Sequence, residues 1–89
     1  MQFITYQGHN TLSLRQLDQL NGVPKGTTFR LFKRCDALQE GQDFLYLAAD
    51  AAPEQIRAWR EAGLIYPATV NVVLLTETGY RKLQTMAGR

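Results

Sequence analysis

The stretch Ser13-Leu-Arg-Gln-Leu-Asp-Gln-Leu-Asn-Gly-Val-Pro-Lys-Gly-Thr-Thr-Phe-Arg-Leu-Phe-Lys-Arg34 decides how this chain is read. Ser13 is a good helix N-cap, because its hydroxyl can accept from a free N–H of the first turn, and Gln16 completes a capping-box pattern. Leu14, Leu17 and Leu20 follow at helical spacing. Asn21-Gly22 ends that helix, since glycine enters the left-handed conformation that a sharp turn needs. Proline is tolerated in a first turn, so a second helix is expected to begin near Pro24 or Lys25 and to run through Arg34. Phe29 and Phe32 lie three apart and are expected to face one core, while Thr27, Arg30 and Arg34 share another face. A capped helix, a glycine corner plugged by Val23 and a basic second helix have the grammar of a helix-turn-helix. In that geometry the second helix enters a DNA major groove with its N-terminal residues nearest the bases. Lys25, Thr27, Thr28 and Arg30 are then the candidate base or phosphate contacts, with Arg30 suited to bidentate pairing with guanine. Lys33 and Arg34, further along, are suited to phosphates, and Arg15 joins them from the first helix.

Charge is unevenly spread. Residues 13–34 carry Arg15, Lys25, Arg30, Lys33 and Arg34 against Asp18 alone, whereas residues 35–63 carry Arg57 and Arg60 against six carboxylates. A polyanion is drawn to the first segment and repelled by the second, although the net charge of the 89 residues is only +2.

Outward from this segment the elements are short. Gln2–Tyr6 reads as a strand, Gln7-Gly8-His9-Asn10 as a turn, and Thr11-Leu12 as a segment able to pair back. After a turn at Gln39–Gln42, Asp43–Leu47 reads as a strand that is a candidate wing. A third helix is expected after Asp50, with Pro53 in its first turn, Ile56 and Trp59 within it and Gly63 at its end. Ile65–Val70 is read as irregular and Val70–Leu75 as a buried strand. Thr76 then caps a last helix carrying Tyr80, Leu83 and Met86. The expected fold is α+β: one helix-turn-helix (winged-helix-like) domain over residues 1–89, with short strands and three to four helices.

Several chemistries find little support. A hydrophobic content of 45% indicates a globular chain, and no apolar run approaches the length of a membrane span. The N-terminal residues lack the basic and apolar regions of a signal peptide, and Cys35 stands alone, so a cytoplasmic location is expected. His9 has no second ligand nearby and is read as a surface turn residue, with no metal and no cofactor expected. Cys35 lacks a visible base and is read as a small buried residue. Asp36, Glu40, Asp43 and Asp50 are read as solvated loop charges rather than paired catalytic acids. Gly22-Val-Pro-Lys-Gly-Thr-Thr28 has the wrong spacing for a phosphate loop. The aromatics Phe29, Phe32, Phe44, Tyr46 and Trp59 are read as core rather than as a stacking platform for single strands. An enzyme is not expected, nor a small-molecule substrate.

Leu17 to Arg34 resembles the N-terminal helix-turn-helix of MerR-like regulators and phage excisionases, in which a Leu-Ala…Gly-Val-Ser corner precedes a Thr-aliphatic-Arg-aromatic-aromatic helix. Here Asp18 stands at the family's alanine and Pro24 at its capping serine. An aspartate is expected to fit poorly there, because the position packs between the helices. A looser resemblance spans residues 2 to 83. The hairpin, the two helices, Gly41-Gln-Asp-Phe-Leu-Tyr-Leu47 and Val72-Val-Leu-Leu-Thr-Glu-Thr-Gly-Tyr-Arg-Lys-Leu83 are similar to small phage DNA-binding domains of the KilA-N, Bro-N and Rha neighbourhood. These resemblances imply a sequence-specific double-stranded DNA-binding regulator of phage or mobile-element origin, acting in transcription or as a recombination accessory factor. A homodimer or cooperative oligomer on DNA is expected, with the Ile56/Trp59 helix or the Val70–Leu75 strand as its contact. The alternative is a protein-interaction module, or an inhibitor of a host protein, that uses the acidic middle segment.

Overall fold

The computed structural model describes residues 2–87. Its elements run β1 (Ile4–Tyr6), β2 (His9–Ser13), α1 (Leu14–Leu20), α2 (Thr27–Arg34), β3 (Phe44–Leu47), α3 (Pro53–Glu61), β4 (Val72–Leu75) and α4 (Glu77–Ala87). The described residues therefore form an α+β structure with four helices and one four-stranded antiparallel sheet in the order β1-β2-β4-β3.

The hairpin is tighter than expected. Gln7 and Gly8 alone make the turn, with φ of 51° and 80°, as a two-residue loop between right-twisted strands requires. His9 and Asn10 belong to β2, where Asn10 pairs with Thr5, so His9 is a strand residue rather than a turn residue. β2 leads directly into α1. Ser13 ends the strand and caps the helix, and both halves of the capping box with Gln16 are formed.

Strand alternation sends side chains to two helical layers. From β3 and β4, Leu45, Leu47, Val72 and Leu74 point to one face, where Ile56 and Trp59 of α3 close a core with Ile4 and Ile65. Leu75 points to the other face and packs with Leu12, Leu17 of α1 and Leu83 of α4, joined at the margin by Phe44, Val73 and Leu31. Ile56, Trp59 and β4 are thereby used inside the molecule. β4 has a strand on each side, so neither it nor those two side chains remain for a dimer contact. Val70, expected at the start of that strand, lies outside it and is 64% exposed.

One further difference comes from long-range partners. Asp43, read as a solvated loop charge, is fully buried. Its carboxylate accepts from Lys82 Nζ at 2.7 Å, from the Thr78 hydroxyl at 2.9 Å and from the Gln39 N–H at 2.9 Å. Thr76 does cap α4, taking the Gly79 N–H at 3.3 Å, while its own hydroxyl is held by the Asp43 carbonyl. Gly79 allows this meeting. A Cβ there would stand 1.9 Å from the Asp43 carbonyl oxygen.

Candidate nucleic-acid interface

α2 begins at Thr27, later than proline tolerance alone suggests. Gly26 is its N-cap in a left-handed conformation at φ 89° and has no side chain with which to cap. The cap comes instead from α1. Asp18, 2% exposed, accepts the Gly26 N–H and the Thr28 N–H at 2.9 Å each and the Thr28 hydroxyl at 2.7 Å. The Tyr66 hydroxyl donates to the same carboxylate at 2.5 Å. Thr28 N–H is one of the orphan donors of a helix start, and a carboxylate there also complements the helix dipole. Asp18 is therefore no misfit between the helices but the tie that holds them.

This tie rotates α2. With the Thr28 hydroxyl turned inward, the helix presents Thr28, Leu31, Phe32 and Cys35 to the interior; Phe32 meets Phe44 edge-on at 4.9 Å. Phe29, about 100° around the helix from Thr28, is left 46% exposed, against the expectation that it lies in the core. Thr28 itself is 5% exposed, and its hydroxyl is engaged by Asp18, which removes it from the residues able to touch a ligand.

The other candidates are at the surface. Arg30 and Lys33 are exposed on the outermost line of α2, and Arg34 is exposed on its α4 side. Thr27 is half-buried and lies beside Arg30, whose guanidinium donates to its hydroxyl at 3.4 Å. Lys33 Nζ lies 5.8 Å from the Phe29 ring centroid. Arg15 and Lys25 converge on one ring, their charged groups 5.5 and 5.0 Å from the centroid of Tyr66, and Arg15 also donates to the Ile65 carbonyl at 3.2 Å. Among the described residues no carboxylate lies within ion-pair distance of Arg15, Lys25, Arg30, Lys33 or Arg34; the ion pairs are Arg81–Glu77 and Lys82–Asp43. A cavity of about 370 Å³ opens between these elements, lined by Leu14, Phe29, Ile65 and Tyr66 together with Arg15, Asp18 and Lys25.

Tyr66 organises this region and carries no local sequence signal. Burial pushes its hydroxyl up, and the neighbouring Asp18 carboxylate pushes it further, to about 12. For Asp18, burial acts upward, but the hydrogen bonds from Tyr66, Thr28 and Gly26 outweigh it and hold the carboxyl below its ordinary value. The signs are opposite. Tyr66 contributes stability that is complete below about pH 10 and is lost between that pH and about 12, whereas Asp18 contributes stability lost as the pH falls through its depressed value. Tyr66→Phe is therefore expected to remove an alkaline loss of up to about 1.4 kcal/mol per pH unit and to flatten the acid limb. Urea midpoints measured across pH for both proteins check this; identical alkaline limbs would contradict it.

No helix among the described residues is long and apolar enough to cross a membrane. Compared with protein-family models, with curated proteins and with solved structures, the chain matches none.

Proposed function

We propose that the protein is a sequence-specific double-stranded DNA-binding regulator, of the kind carried by phages and other mobile elements. In this reading α1, the Asn21–Gly26 turn and α2 form a helix-turn-helix, and the β3–β4 ladder takes the place of the wing of a winged helix. One observation carries it. Arg30, Lys33 and Arg34 are exposed along α2, Lys25 and the half-buried Arg15 flank Tyr66 near its start, and none of the five has a carboxylate partner among the described residues; unpaired cations gathered in this way attract a polyanion. Arg30, on the exposed side of α2, is the base-reading candidate, and Thr27 sets its guanidinium. Lys33, Arg34, Lys25 and Arg15 neutralise phosphates around it. The resemblance to phage and MerR-like regulators supports the same reading.

Duplex binding followed by anisotropy at about 50 and about 200 mM salt tests it. Four to five phosphate contacts give a log–log salt slope of about −4, equivalent to a few hundred-fold loss over that range. Arg30→Ala with Lys33→Ala is expected to weaken binding at least about tenfold and to lower the slope by one to two. Absence of duplex binding at low salt would remove the proposal and direct attention to a protein partner of the acidic segment.

A further inference from the structure

We infer that Phe29 reads thymine, through apolar contact with its C5-methyl group, in the duplex that α2 occupies. The inference rests on the DNA-binding reading and adds a specificity to it.

Three observations converge. Phe29 is a large apolar side chain left 46% exposed on α2, while Thr28, Leu31 and Phe32 form the inward face of that helix. Phe29 lies one position from Arg30 and beneath Lys33, so it shares the exposed side with the groups proposed to touch DNA. It also lines the largely apolar cavity that Arg15, Asp18 and Lys25 share. An apolar protein surface docked here would bury several cations without partners, at high desolvation cost. A duplex supplies phosphates for the cations, and its major groove displays one apolar group, the thymine methyl. An aromatic ring set between cations fits that combination of charge and apolar contact.

The test uses the short duplex that binds best in selection from random sequence. Each thymine in it is replaced in turn by deoxyuridine, which removes the methyl and leaves the pairing edge intact. Wild-type protein is expected to lose about three- to tenfold in affinity at one or two positions, the low end of single-base discrimination. Phe29→Ala is expected to bind the thymine duplex as weakly as the wild type binds its uracil counterpart, with no remaining difference between the two. Phe29→Leu, which keeps an apolar contact, is expected to retain part of the difference. Thermal melting of each variant confirms that the exposed substitution leaves the fold intact. If salt-sensitive binding persists but no thymine position discriminates, or if Phe29→Ala discriminates as the wild type does, the thymine assignment is wrong and the DNA-binding reading stands. If no duplex binds, both are wrong.

Discussion

Asp18→Ala is expected to destabilise the protein by about 3–5 kcal/mol, because it strips a charged acceptor from four donors and leaves them unsatisfied. The side chain is 2% exposed and takes four hydrogen bonds, from Gly26, twice from Thr28 and from Tyr66. Truncation leaves those donors without an acceptor and leaves the start of α2 uncapped. Hydrogen bonds to a charged group contribute about 1.5–3 kcal/mol each before such losses are shared, so a total of at least about 3 is expected. For a domain of this size that is a melting temperature lowered by at least about 12 °C. The MerR-like resemblance favours the opposite sign, because alanine is the residue usual at this position. Thermal melts therefore decide between the two: an Asp18→Ala protein as stable as the wild type, or more so, would show that the carboxylate does not hold the helices together. Asp18→Asn should fall nearly as far, because one of its two ends turns an NH2 toward N–H or O–H donors. Under the proposed DNA-binding function, duplex binding should weaken in both, since α2 loses the contact that orients it.

Gly79→Ala is the second large effect, and helix propensity again gives the wrong sign for it. Within a helix, alanine is worth about 1 kcal/mol more than glycine. At this position the added Cβ would lie 1.9 Å from the Asp43 carbonyl oxygen and 2.8 Å from its carbon, both backbone atoms that cannot swing away. The clash forces apart the Asp43 loop and the start of α4, and with them the Thr76 cap and the buried pair between Asp43 and Lys82. A loss above about 3 kcal/mol is expected, at the upper end of overpacking. Urea unfolding would expose it as a lowered midpoint, and a midpoint at or above that of the wild type would refute it.

What could be read from the sequence was what residues decide with near neighbours. Ser13 and Gln16 form their capping box within one turn, Gly22 takes its left-handed φ of 62°, Pro53 stands in the first turn of α3, and Thr76 caps α4. Strand and helix order followed from such signals. The site depended on partners far along the chain. Tyr66 reaches Asp18 across 48 residues, and Lys82 reaches Asp43 across 39. Hydrophobicity places Phe29 inside and Thr28 outside; the carboxylate of Asp18, by claiming the Thr28 hydroxyl, reverses them. The N-cap of α2 is Gly26, which has no side chain to offer, and Asp18 of the neighbouring helix supplies the cap instead.

The sheet order β1-β2-β4-β3 imposes a schedule on synthesis. β2 and β3 meet only through β4, the most C-terminal strand of the sheet, so a nascent chain that has emerged as far as Asn71 holds the β1–β2 hairpin and the tied α1–α2 pair but no sheet to join the two layers. Closure of both layers waits for Val72–Leu75, a set of long-range pairings that folds slowly compared with local helices. Until then Leu45, Leu47, Ile56 and Trp59 have no partner strand and are open to chaperones.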